Sequence, residues 1–350
     1  MVEEVRALSA VDVSDVAEAD AAGAFVILTQ AGELLWMDVG AGRRPDAISS
    51  VALDDGPRPR MVARGATGHL VVGVGVSAPS EGKPPHVVTW PVGAAPDLIV
   101  GDPTSHDIPG GLDVDVTATG TELGFAVWAT SLEPRVAERT PPGDTVFMVA
   151  LDARARRYGG PVEFERGVSM GRPAGGPAAP ALTYAGPLIA GRRHLTFSPL
   201  SAQGTRLDKI LLESQDGSAG AGMGPAVITA GQGGYVVAWG DSQTPARIRL
   251  QVLRAGEPLC EPALSGVLGS GDQPLDLATF GSRVALSRTD EHGARVLRLF
   301  DGGFDSGDIT LPAGPASAVR LVSVGMAVVV VATTRDSEGV PATVVLRVKC

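Results

Sequence analysis

Pro225–Val267 reads PAVITAGQGGYVVAWGDSQTPARIRLQVLRAGEPLCEPALSGV. An apolar run, VIT, meets the tight Gly-rich turn Gly231-Gln232-Gly233-Gly234. A second and more apolar run follows, YVVAW. After a polar loop come a third run, RIRLQVL, a turn, and a weak fourth run near Ser265–Val267. Four short strands in under 50 residues is the size of one propeller blade.

Working outward, the same order recurs. AGAFVILTQAGELLWMDVG with AISSVAL forms a first unit. RMVARGATGHLVVGVGV with HVVTWPV and DLIV forms a second. DVDVTATGTELGFAVWATS with TVFMVALDA and PVEFE forms a third. PLDLATFGSRVALSRT with ARVLRLFD and DITL comes sixth, and AVRLVSVGMAVVVVATT with ATVVLRV seventh. The second strands begin near Ala24, His69, Gly124, Tyr235, Arg283 and Met326, mostly 43 to 55 residues apart. The longer gap between Gly124 and Tyr235 holds two units, so a fourth is blurred within ALTYAGPLIAGRRHLTFSPL and KILLES. Seven units result, with six or eight as the alternative.

The runs FVIL, LVVGVGV, FAVWA, YVVAW and AVVVVA are continuously apolar rather than alternating, which predicts strands buried on both faces. Blades stacked around an axis bury them so. No capped amphipathic stretch of helical length is present. The last unit ends after its third strand, while Glu4–Ser9 (EVRALS) has no place in the first unit. It is expected to supply the outer strand of the last blade and remove an open edge. On these units the chain resembles bacterial β-propeller repeat proteins of a loose type, without the tryptophan–aspartate or kelch signatures. Trp128 and Trp239 fall at what reads as the same place in two units. The resemblance implies an all-β, seven-bladed propeller over residues 1–350, with residues 1–10 as the closing strand.

Composition bounds the rest. The 350 residues are 44% hydrophobic and 19% charged, too apolar for a disordered chain. Gly 46 and Pro 27 follow no three-residue period, which excludes collagen. There is no Asn, and Lys occurs only at 83, 209 and 349, a bias of GC-rich coding that gives Arg-for-Lys no meaning for phosphate binding. A net charge of −10 argues against direct nucleic-acid binding, and Arg154, Arg156 and Arg157 read as a solvated loop. The acidic start lacks an apolar signal core, so a cytoplasmic protein is expected. Leu321–Thr334 falls short of the roughly 20 residues of a membrane helix, and no membrane insertion is expected.

The chemical motifs are weak. Gly167-Val168-Ser169-Met170-Gly171 matches a nucleophile elbow, but RPAGGPAAP follows where a helix is needed, so the segment reads as a connection between blades. Gly240-Asp241-Ser242 and Ser80-Glu81-Gly82-Lys83 match hydrolase fragments by spacing alone, and Gly217–Pro225 has no following helix to receive phosphate. Asp102 and His106-Asp107 read as a turn. Asp301, Asp305 and Asp308 on a Gly-rich turn lack the pattern of a calcium loop. Cys260 and Cys350 form no metal pair, and whether they are joined stays open. No catalytic residue, metal or cofactor is therefore expected. Asp113 and Asp115 share one side of an inner strand and are candidates to line the axial channel with Glu18, Arg64, Asp276 and Arg320.

Loops between second and third strands are long and variable, and in a propeller they share one face. Glu133, Arg135, Glu138, Arg139, Asp241, Asp290, Glu291, Arg335, Asp336 and Glu338 form a mixed-charge rim there, the candidate partner-binding surface. The expected function is a non-catalytic protein–protein interaction or scaffold module of a bacterial assembly. A propeller hydrolase or lyase with its site at the channel mouth is the alternative. A carbohydrate-binding propeller is third, with few aromatic residues to stack on sugars.

Overall fold

A computed structural model describes all residues except 1, 20–22, 40–48, 54–57, 76–85, 96, 107, 109–110, 120–123, 132–143, 176–179, 187–191, 202–204, 217–225, 232–233, 242–246, 255–265, 271–273, 290–293, 302–303, 312–317 and 350. It is built of antiparallel strands, with no helix among the described residues. β1 is Val2–Ser9. Blade 1 is β2 (Val13–Glu18), β3 (Ala24–Thr29), β4 (Glu33–Asp38) and β5 (Ser49–Ala52). Blade 2 is β6 (Arg58–Arg64), β7 (Gly68–Gly75), β8 (His86–Gly93) and β9 (Thr104–His106). Blade 3 is β10 (Gly111–Ala118), β11 (Phe125–Ser131), β12 (Asp144–Leu151) and the first part of β13 (Val162–Ala174). Blade 4 is the rest of β13 with β14 (Ala181–Ala185), β15 (Arg192–Pro199) and β16 (Ile210–Asp216).

Blade 5 is β17 (Val227–Gly231), β18 (Gly234–Asp241), β19 (Arg247–Arg254) and β20 (Gly266–Ser270). Blade 6 is β21 (Pro274–Phe280), β22 (Arg283–Thr289), β23 (Arg295–Asp301) and β24 (Phe304–Thr310). Blade 7 is β25 (Val319–Val324), β26 (Ala327–Arg335) and β27 (Pro341–Lys349), completed by β1. The inner strands contact one another in chain order, and β25 returns to β2, so the seven blades form a closed ring. β1 lies antiparallel to β27 from Val2↔Val348 to Ser9↔Ala342, which is the closure expected of the N-terminal segment.

The second strands are buried end to end, as their apolar runs require: β3, β7 and most of β26 have both faces covered. Each face meets a neighbouring blade. Val71 packs toward blade 1 with Val26 and Leu28, whereas Leu70 and Val72 pack toward blade 3 with Val127 and Val149. Period-two alternation gives each strand two sets of side chains, and here both sets are core.

Three local readings are corrected. The segment holding His106 is β9, the outer strand of blade 2, whereas the DLIV segment only bridges Val100 to Val92. His106 is fully buried, with Nε2 2.9 Å from the Thr89 hydroxyl. The Gly167–Gly171 segment does connect two blades, but as strand: it is the middle of β13, which leaves blade 3 and enters blade 4 without a break. Gly167, at φ 66°, provides a left-handed residue just before the strand passes from its last blade 3 pairing, at Val168, to its first blade 4 pairing, at Ser169. Trp128 and Trp239 do not hold equivalent places. Phe125 and Tyr235 both start the apolar run, so Trp128 lies three residues on and Trp239 four. A one-residue offset reverses the face. Trp128 packs against blade 4 from blade 3, edge-on to Phe164 with ring centroids 5.0 Å apart, and Trp239 packs against blade 4 from blade 5.

Candidate functional site

The inner strands repeat a short pattern: Asp15-Val16-Ala17, Met61-Val62-Ala63, Asp115-Val116-Thr117, Arg172-Pro173-Ala174, Asp276-Leu277-Ala278 and Arg320-Leu321-Val322. The ring brings the charged first members of these triplets, Asp15, Asp115, Arg172, Asp276 and Arg320, to the axis. The three aspartates are buried, and Arg172 reaches across the axis to all of them. Its guanidinium lies 3.0 Å from Asp276 Oδ1, 3.4 Å from Asp15 Oδ1 and 3.9 Å from Asp115 Oδ2. Arg320 adds a contact of 3.5 Å to Asp15 Oδ1 and donates to the Ser14 carbonyl. Blades 1, 3, 4, 6 and 7 are thereby tied through one charge cluster.

The carboxylates also join backbones. Asp276 accepts from its own neighbour Leu277 N–H at 2.9 Å and from Leu321 N–H of blade 7 at 2.8 Å. Asp15 likewise accepts from Val62 N–H of blade 2 at 3.1 Å. Each such bond runs to the second member of the next blade's triplet. Asp115 accepts from Val116 N–H at 2.7 Å, but the corresponding residue of the next blade is Pro173, which has no N–H to give. The junction is tight even so: a Cβ at Gly175 would collide with the Ala118 carbonyl and the Thr117 hydroxyl.

The electrostatics follow from this geometry. Burial pushes Asp115 up to about 7; Arg172 and the Val116 N–H oppose the shift, and Asp15 and Asp113 add to it. Asp15 is also raised, by burial first, against the pull of Arg172, Arg320 and Val62 N–H. Burial works against the Arg172 charge, yet Asp276, Asp15 and Asp115 together outweigh it and hold the group more basic than usual. Arg320 is lowered by burial and by Arg172. Three carboxylates face two guanidinium groups, so one proton on Asp115 brings the cluster to neutrality.

Asp115→Asn tests this account. A raised carboxylate pKa favours the folded state at low pH, and that advantage is lost as pH rises from about 4 through 7. The native melting temperature is expected to fall over that range. In Asp115→Asn the amide oxygen still accepts from Val116 N–H, and the melting temperature should exceed the native value by roughly 2–5 °C at pH 8 and by a smaller margin at pH 5.

Beyond the cluster, at the ends of the inner strands that lead into the first hairpin turns, the channel opens into a cavity of about 590 Å³. Thr117, Thr119, Thr229, Thr279 and Ser323 line it, with Glu18 and Arg64 from adjacent blades 3.5 Å apart. Glu18, Arg64, Asp115, Asp276 and Arg320 thus sit on the axis as the sequence predicts. Asp113, on the same strand as Asp115, is exposed. Asp15 and Arg172 escape the sequence reading. Asp15 is one acid among several in VDVSDVAEAD, and Arg172 lies in a Gly/Pro-rich stretch read as connection. Alignment on the triplets would have found both.

No family model matches this chain, and neither does any curated protein. The axial geometry therefore stands on its own terms.

The remaining candidates are accounted for or fall outside the described residues. Asp308 pairs with buried Arg288 and lies 3.9 Å from Arg298, and no group of metal-ligating side chains occurs among the described residues. The Asp301 and Asp305 side chains, Ser80–Lys83, Gly217–Pro225, Ser242, Cys260 and Cys350 lie outside them. Of the rim, so do Glu133, Arg135, Glu138, Arg139, Asp290, Glu291 and the Asp241 side chain. Arg335 is bound to Asp12 and the Gly339 carbonyl, and Asp336 accepts from Glu338 and Val340 N–H, which shapes its own turn. These rim residues leave blade 7 on the face opposite the axial cavity, because the second strand ends where the inner strand begins. No helix among the described residues is long and apolar enough to cross a membrane.

Proposed function

We propose that the chain is a non-catalytic interaction module, a propeller subunit that scaffolds a bacterial protein assembly in the cytoplasm and binds through its loop-bearing face. The observation that carries this reading is how the axial charges are used. Asp15 and Asp276 hold backbone N–H groups of neighbouring blades, and Arg172 is held among three carboxylates. Groups spent on bracing the ring are not presented to a substrate. The enzymatic alternative requires histidine and carboxylates converging at the channel mouth; the described lining there offers Glu18, already facing Arg64. The partner is a protein rather than nucleic acid, in keeping with the net charge of −10.

Photo-cross-linking in the organism's own cells tests the reading. Benzoylphenylalanine replaces Glu338 on the loop-bearing face or, in a second strain, Tyr158 on the cavity-bearing face. Discrete, reproducible protein adducts from the Glu338 position are expected in the cytoplasmic fraction, with Tyr158 as the opposite-face comparison. Background labelling alone from Glu338 would sink the proposal.

A further inference from the structure

The three axial acids each stand at a blade junction, and they meet the following blade differently. Asp15 and Asp276 accept from an N–H of that blade, Val62 and Leu321 respectively. An ionised carboxylate accepts more strongly than a protonated one, so these two junctions gain when their acids lose a proton. Asp115 makes no such bond among the described residues. Its Oδ1 is taken by Val116 of its own strand, and Pro173 stands where the blade 4 donor would be. Its Oδ2 meets blade 4 through Arg172 at 3.9 Å, the longest of that guanidinium's three aspartate contacts.

The blade 4 side of this junction is tied elsewhere. The Arg172 N–H donates away from blade 3, to the Ala226 carbonyl at 3.2 Å, and the pairing of β13 with β14 shifts register between Met170 and Pro173. The large apolar side chains shared by blades 3 and 4, Trp128, Phe164, Leu182 and Tyr184, belong to strand segments farther from the axis. They keep the blades together whatever happens at the inner end. The charges around Asp115 are Arg172 on β13, Asp15 on β2, Asp276 on β21, Arg320 on β25 and Asp113 on β10 itself. From blade 2, the side chains of β6, β7 and β8 packed against blade 3 are uncharged, Met61, Leu70, Val72 and Val87 among them, and β11 sets Trp128 opposite Asp115.

We infer that the inner end of the blade 3–blade 4 junction is a pH-operated joint, closed while Asp115 carries a proton and opened to water when Asp115 ionises, with the clamped junctions staying shut. Val116, Thr117, Thr119 and Gly175 of this joint also form one wall of the axial cavity, so the proton sets whether that wall is continuous. The joint goes beyond the interaction reading and does not depend on what the ring binds. Its sign follows from burial, which holds Asp115 up to about 7 in the closed joint. In a hydrated, open joint the carboxyl returns toward about 4. Opening is therefore least favoured below about pH 4, grows by up to about tenfold per pH unit above it, and levels off past about 7.

The test is hydrogen exchange of the full chain, read by peptide mass spectrometry at pH 5 and pH 8 and corrected for intrinsic exchange rates. Peptides spanning 114–119 and 170–175 are expected to lose protection at least about tenfold more than peptides spanning 61–64 and 319–324 of the clamped junctions. Asp115→Asn should abolish that difference. Pro173→Ala returns an N–H to face Asp115 and should move the midpoint of the loss down by about one pH unit, since a hydrogen bond to the charged form lowers a carboxylate pKa. An equal change at all junctions would mean that global stability carries the pH effect, and it overturns the inference. A difference that survives Asp115→Asn overturns it as well, as does a Pro173→Ala midpoint equal to the native one. The comparison between junctions in the unmodified chain decides the matter even where a variant fails to fold.

Discussion

Arg172→Met is expected to be the most damaging single substitution on the axis. The side chain reaches from blade 4 to carboxylates on blades 1, 3 and 6. Methionine keeps much of the length and apolar stem but removes the charge. Asp15, Asp115 and Asp276 would then share the axis with Arg320 alone. Removing one partner of a buried ion pair costs roughly 3–5 kcal/mol, because the remaining charge stays buried and uncompensated. Here three carboxylates lose their common partner, so the cost belongs at the upper end. Part of it should return at low pH, where protonation relieves the repulsion. Thermal unfolding at pH 5 and pH 8 checks this: the loss of melting temperature should be larger at pH 8. An equal loss at both pH values would mean that Arg172 acts through packing rather than charge. Adding Asp115→Asn to Arg172→Met should recover part of the pH 8 loss, since the two sites are coupled.

Deleting the closing strand should have an effect of similar size by another route. Without residues 1–9, β27 loses its partner from Val348 to Ala342 and becomes an open edge. Val5 and Leu8 leave the cluster they share with Val329, Val331 and Val345. An unpaired strand edge with apolar neighbours invites pairing with another chain. The shortened protein is expected to melt at least about 10 °C lower, given a loss of several kcal/mol in a domain of this size, and to self-associate in size-exclusion chromatography. A synthetic peptide of residues 2–9, added in excess, should restore both the monomeric elution and most of the melting temperature. A shortened chain that elutes and melts like the full chain would show that β1 is not part of the ring.

The ring itself was written in residues that repeat. Continuous runs such as FVIL, LVVGVGV and AVVVVA predict strands covered on both faces, and Gly-rich turns between first and second strands fix where the hairpins fall. EVRALS was legible as the closing strand because it had no place in the first unit. Blade 4 was hard to read for a physical reason: its inner strand is the second half of β13, so no turn marks its start, and Pro173 and Gly175 look like loop. β9 was missed because its three residues carry no apolar pattern; its burial comes from the His106–Thr89 contact. On the axis, Asp115, Asp276 and Arg320 could be placed from strand periodicity. Their pairing could not, because Arg172 meets Asp15 and Asp276 at separations of 157 and 104 residues, and only ring closure brings them together. The Pro173 defect beside Asp115 likewise has meaning only once blades 3 and 4 are set side by side.

The closed ring is the central claim, and amide hydrogen exchange of the unmodified protein, followed by peptide mass spectrometry, tests it most directly. If β1 completes blade 7, the amides of residues 3–9 bonded to β27 exchange with protection close to that of Val328–Ala332 at the centre of the same blade. Exchange of residues 3–9 at the rate of an unstructured peptide, with β26 still protected, would contradict the closure on which the account of the axis and of both faces depends.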